Sequence, residues 1–129
     1  MTALAMTTFL VPDYDEGIAF FREALDFALH EDTDLGGGKR WVVMGGVNGG
    51  RLLLARATDD EQRAAIGRQT GGRVGWFLAS DDFAADHRRM TAWGVEFTEE
   101  PRHEPYGTVA VFKDPWGNPW DLIEHRKAA

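Results

Sequence analysis

Apolar residues recur at two different periods along this chain, and the alternation between them predicts its elements. Residues about 4 to 11, carrying Leu4, Met6, Phe9 and Val11, read as a strand that Pro12 stops, with Asp13 placed to cap the helix that follows. Ile18, Phe21 and Leu25 then repeat at helical spacing beside Phe20, so an amphipathic helix is expected from about 15 to 26. Gly36, Gly37 and Gly38 break the pattern, and strands at about 40 to 44 and 51 to 55 flank a glycine-rich turn, which makes a hairpin. Thr58 to Glu61 fits a capping box opening a short helix that ends near Gly67, and Gln69 to Gly72 reads as a loop. Beyond it come a strand at 74 to 79, a helix from Phe83 to Trp93 ended by Gly94, a short strand at 95 to 97, and a hairpin of 108 to 113 with 120 to 124. The tail from Arg126 to Ala129 is expected to fray.

The second half is a fainter copy of the first. The stretch from Phe9 through Val11, Pro12 and Asp13 to Phe27 is echoed from Phe77 to Met90, and the segment Val47 to Leu54 is echoed by Pro115 to Leu122, all at an offset of about 68 to 70 residues. One constant offset predicts two similar modules: the first over about 1 to 56, a linker helix over about 58 to 68, and the second over about 72 to 126. Each reads as β-α-β-β.

Composition narrows the function classes. At 129 residues and 43% hydrophobic content the chain is large enough to bury a core as a single domain built from two half-size modules. A formal net charge of −7 argues against a nucleic-acid backbone as partner; it suits a soluble protein and would favour cationic or neutral small molecules. No apolar run approaches the roughly 20 residues of a membrane span, and the start lacks a secretory signal pattern, so no membrane association and a cytoplasmic location are expected. With no cysteine in the chain, disulfides, thiolate catalysis and Cys-ligated zinc are excluded.

The segment Val11 to Phe21 and the segment Phe112 to Ile123, with Asp114, Pro115, Gly117 and Asn118 at its turn, resemble the glyoxalase/bleomycin resistance protein/dioxygenase superfamily, also called vicinal oxygen chelate proteins. The resemblance covers nearly the whole chain and implies an α+β fold in which two tandem βαβββ modules curl into an open, cup-shaped mixed barrel. It implies a homodimer as well. In metal-dependent relatives four ligands hold a divalent ion, one from the first and one from the last strand of each module. Carried onto this sequence, those positions are Met6, Leu53, Gly75 and Asp121. Three cannot offer an oxygen or imidazole nitrogen, so no metal and no other cofactor is expected. The four histidines do not supply a replacement: His87 falls on the polar face of the second helix, His30 and His103 in acidic turn-like contexts, and His125 in the tail.

Strand alternation then assigns a wall. If Met6 faces inward so do Thr8 and Leu10; Gly75 brings Arg73, Phe77 and Ala79; Leu53 and Asp121 bring Arg51 and Ile123. That wall is mostly apolar, with a few polar groups, which is the description of a small-molecule pocket. Gly75 is expected to leave room in it. Trp76 and Trp120 face the other way and are expected to pack under the helices with Phe20, Phe21 and Met90, while Trp116 falls at a turn tip, at a module, dimer or pocket edge. Trp41, Tyr106 and Phe112 belong to the rim or wall or to neither, because sequence does not fix the register of their strands.

The ligand-binding candidates are therefore Met6, Thr8, Trp41, Arg51, Leu53, Gly75, Phe77, Tyr106, Phe112 and Asp121. Four functions are compatible with them. The resemblance and the missing metal ligands favour a metal-free protein binding a drug or metabolite. A divalent-metal lyase, isomerase or extradiol dioxygenase with ligands elsewhere is a second. A metal-independent enzyme, with Asp121 as acid or base beside Arg51 or Tyr106, is a third. The fourth is an interaction domain with no ligand.

Overall fold

The computed structural model describes residues 1–127, and the chain divides into two compact units, Met1–Ile66 and Gly67–Ala129. In the first, β1 (Thr7–Val11) leads into α1 (Tyr14–Ala19), which runs on as a π-helical turn over Phe20–Ala24 before β2 (Ala28–Gly36), β3 (Lys39–Gly45), β4 (Arg51–Arg56) and α2 (Asp60–Ala65). The strands form one sheet in the order β1-β4-β3-β2, with β1 and β4 parallel and the other pairs antiparallel. In the second unit β5 (Trp76–Ala79), α3 (Phe83–Trp93), β6 (Glu96–Phe97), β7 (Arg102–Glu104), β8 (Gly107–Lys113) and β9 (Pro119–His125) repeat the plan. Its sheet has the order β5-β9-β8-β6, β5 and β9 are parallel, and β7 also pairs with β8.

The period-two pattern explains which side of each sheet is covered. In the first sheet Phe9, Val11, Val42, Met44, Leu52 and Leu54 are buried on one face, and α1 with its π-helical turn lies over them. Asp13 starts that helix with its Oδ2 accepting from the Glu16 N–H at 2.9 Å. Gly17 lets the helix settle: a Cβ there would stand 3.0 Å from Val11 and 3.1 Å from Leu54. Phe20 and Phe21 cluster with Phe9 and Phe27, at ring-centroid distances of 5.1 to 5.6 Å. In the second sheet the covered face carries Ala110, Phe112, Trp120 and Leu122, with Phe83 and Met90 of α3 buried beside it. Trp120 stacks on Trp76 at 5.0 Å and on Phe112 at 5.8 Å. Trp120, Phe20, Phe21 and Met90 are buried, as expected of residues packed under the helices, while Trp76 is only partly covered.

Two strands escape the sequence pattern. β2 has no apolar periodicity, because six of its nine residues from Glu31 onward are exposed and three are acidic. It forms through backbone pairing with β3, and Arg40 of β3 clamps Asp32 at 2.7 Å and Asp15 of α1 at 2.9 Å. β7, three residues long, pairs with β8 without an apolar signal. With β2 the first module is βαβββ rather than the β-α-β-β of the hydropathy pattern, and the second has the same four-strand path, β5-β9-β8-β6, with β7 added beside β8. Elsewhere β1 begins at Thr7, not near residue 4, and α2 is capped one residue later than expected: Asp59, not Thr58, accepts from the Gln62 N–H at 2.8 Å. Of the tail, the Arg126 N–H bonds the Tyr106 carbonyl at 2.7 Å, while Ala128 and Ala129 lie outside the described residues.

The turn from β8 to β9 is organised by one carboxylate. Asp114 Oδ1 accepts from the backbone N–H groups of Trp116, Gly117 and Asn118, and its Oδ2 accepts from Asn118 Nδ2 and Trp120 Nε1. Gly117 has a φ of 106°, and Gly67 packs so closely that a Cβ would lie 2.0 Å from the Trp116 carbonyl oxygen. The motif that marks the resemblance is therefore a structural device.

Candidate functional site

The face of each sheet away from its helix carries the wall residues. In the first unit the row Thr8, Leu53, Val43 and Glu31 runs straight across β1, β4, β3 and β2. Arg51 and Trp41 lie on the same face by alternation, and Met6 stands just ahead of β1. A groove of about 480 Å³ opens here, bordered by Met6, His30, Glu31, Trp41, Val43 and Arg51. His30 is fixed by its Nε2, which donates to the Gly46 carbonyl at 2.9 Å. Glu31 and Arg51, by contrast, make no ion pair or side-chain hydrogen bond among the described residues.

In the second unit the corresponding row is Phe77, Asp121 and Val111 across β5, β9 and β8, and the next row is Ala79, Ile123, Val109 and Arg102. Phe77 is a large apolar side chain left 67% exposed. Asp121 is half-buried and its Oδ1 is shielded from solvent without a hydrogen-bond partner among the described residues. Burial raises its carboxyl above the usual range, with Arg102 pulling it down and Glu99 pushing it up. At the rim Arg102 pairs with Glu99 and Glu104 at 2.9 Å each, and Glu99 also accepts from the Val111 N–H. The first of these pairs holds the Glu99 carboxyl below its usual value despite its burial.

Phe112 is not part of this wall. It is fully buried on the opposite face, between Trp120 and Phe97. Tyr106 sits in the turn between β7 and β8, half exposed, in neither row, with its side chain hydrogen-bonded to Arg102. His87 is no plain surface residue: its ring lies 4.1 Å from Phe97 and 5.7 Å from Phe83, beside a separate groove of about 510 Å³ that includes Thr91, Val95 and Glu99. Glu31, Val111 and Arg102 were beyond sequence reasoning, since each reaches the wall through a strand pairing that residue periodicity does not disclose.

A sequence profile of the Glyoxalase/Bleomycin resistance protein/Dioxygenase superfamily matches residues 3–122. The chain belongs to this superfamily. Within reach of it is an uncharacterized protein of Shewanella frigidimarina, 51% identical over 118 residues, which cover 89% of this chain and 87% of that protein. Among solved structures, UcmS2 superposes with a TM-score of 0.78 at 28% identity, over 95% of this chain and 98% of that one. TnmS3, an antibiotic binding protein from a Streptomyces species, superposes with a TM-score of 0.69 at 27% identity, over 98% and 99%. The α+β fold and its two βαβββ modules are those of the superfamily.

A divalent ion of the kind used by metal-dependent superfamily members does not fit the donor set here. Met6 offers a soft thioether, Leu53 offers nothing, and Asp121 is one short carboxylate. Gly75 does not leave the space expected of it either: a Cβ there would fall 2.4 Å from Thr70 Cγ2, and the Thr70 hydroxyl is itself tied to the Arg73 carbonyl. A histidine could not occupy that position without displacing Thr70. Among the described residues no other group of three or more His, Asp or Glu side chains could hold an ion.

Proposed function

We propose that this chain binds a small organic molecule on the helix-free faces of its sheets, and that it does so without a metal. The observation that carries the reading is the groove of the first unit, in which an indole, a carboxylate and a guanidinium converge while both charges lack partners. A volume of about 480 Å³ is within the range of small-molecule sites, and free opposite charges beside an aromatic ring supply orientation as well as area. That TnmS3, with 27% identity and nearly complete overlap, is an antibiotic binding protein supports the same class of ligand. As in other members, a homodimer is part of the proposal, checked by sedimentation of the purified chain.

The test is a titration with aromatic and macrocyclic compounds of differing charge in the presence of EDTA, followed by tryptophan fluorescence and by melting temperature. A ligand of the folded state quenches Trp41 and raises the melting temperature saturably. A Trp41→Phe variant then loses most of the quench while retaining the thermal shift. A panel that moves neither signal contradicts the proposal.

A further inference from the structure

The second sheet holds one polar atom that the fold leaves unused. Asp121 is set in the middle of β9, directly between Phe77 of β5 and Val111 of β8, and its Oδ1 is buried without a donor among the described residues. Shielding a carboxylate oxygen from water with nothing in return is unfavourable, and such orphans in folded proteins call for an explanation. Packing does not require it. The corresponding place in the duplicated first sheet, between Thr8 and Val43, is filled by Leu53.

The surroundings indicate what the missing donor is. Arg102, the cation that acts on Asp121, is already engaged by two carboxylates at 2.9 Å. Glu99, Glu104 and Asp121 therefore outnumber it three to one. Lys113, on the same face two residues along β8 from Val111, is exposed at the end of the strand. The neighbourhood keeps an excess of negative charge, which attracts a cation and repels an anion. Across from the carboxylate, Phe77 leaves an aromatic ring uncovered, a surface on which a flat or cationic group gains both area and quadrupole attraction.

We propose that Asp121 is the recognition group of this face and that the ligand it selects is an aromatic amine cation, its ring against Phe77 and its N–H donated to Oδ1. The assignment rests on the small-molecule reading above and names the ligand's class. A neutral hydroxyl would satisfy Oδ1 but leave the excess charge unanswered.

The experiment uses three compounds sharing one ring system, namely 9-aminoacridine as the cation, acridone as the neutral form and acridine-9-carboxylate as the anion. Each is titrated calorimetrically into the whole chain and into Asp121→Asn and Asp121→Leu. The parent should bind the cation at least tenfold more tightly than either of the others, about 1.4 kcal/mol. Both variants should lose that preference while melting at or above the parent temperature, since Leu already occupies the matching site of the first sheet. Equal affinity for the three compounds, or a preference that survives in Asp121→Asn, overturns the role of Asp121 and leaves the small-molecule reading standing. Variants that both melt well below the parent show that Asp121 serves the fold, which also overturns it. No binding of any of the three overturns the role of Asp121, while the small-molecule reading itself is decided by the wider panel and the first-unit groove.

Discussion

Replacing Asp114 by Asn keeps the shape of the side chain and removes one acceptor. In the native turn Oδ1 receives three backbone N–H groups at 2.9 to 3.0 Å, and Oδ2 receives Asn118 Nδ2 at 2.8 Å and Trp120 Nε1 at 3.0 Å. An Asn can point its oxygen at only one of these two sets. Its lower-loss orientation keeps the three backbone bonds and turns its NH2 against two buried donors. Leaving a buried donor unsatisfied costs about 1–3 kcal/mol, so two give roughly 2–6 kcal/mol. One effect opposes this: burial raises the Asp114 carboxyl, most of all through desolvation, against the pull of the same donors. Removing the charge relieves that strain, and the expected net loss is about 2–4 kcal/mol. Urea unfolding followed by circular dichroism measures it as a lower midpoint at unchanged slope. A loss under about 1 kcal/mol would refute the view that this carboxylate organises the turn.

Further predictions follow the same logic. Asp121→Asn should stabilise the chain at pH 7 by up to about 1 kcal/mol, a modest figure because the residue is only half-buried. Since the folded-state carboxyl is raised, the native Asp is penalised as pH climbs from its ordinary value near 3.8 through the raised one, and the two proteins should have equal urea midpoints at pH 3; a difference independent of pH would show that the carboxyl is not perturbed. Phe112→Ala removes a fully buried ring and should cost about 3–5 kcal/mol in urea unfolding. Gly75→Ala should lower stability by about 1–3 kcal/mol through the clash with Thr70, with most of it recovered in the Gly75→Ala/Thr70→Ala double variant.

The duplication and the alternation of β1, β4, β5 and β9 made the wall readable from the chain, because a strand buried on one face must alternate and because one offset relates the two modules. Thr8, Leu53, Phe77 and Asp121 fall on the face that alternation gave them. Phe112 did not follow, since its strand is buried at Val109, Ala110 and Phe112 alike and a run of apolar residues carries no parity. β2 was invisible for the opposite reason: its pairing is made by backbone bonds and by an Arg–Asp clamp, and the side chains that point outward are acidic. At Gly75 a missing Cβ reads as space in sequence, whereas the chain folds Thr70 into it. Glu31 and Arg102 joined the wall only once strand pairing placed them.

On the proposed function, the faces carrying Met6, Leu53 and Asp121 bind the ligand directly and without a metal. Calorimetric titration of 9-aminoacridine, performed once in EDTA and once with saturating manganese or nickel, puts that claim to the most direct test. The donor set of Met6, Leu53, Gly75 and Asp121 predicts one dissociation constant under all conditions and no heat from the metal alone. Stoichiometric metal binding, or a ligand that binds only when metal is present, would contradict it.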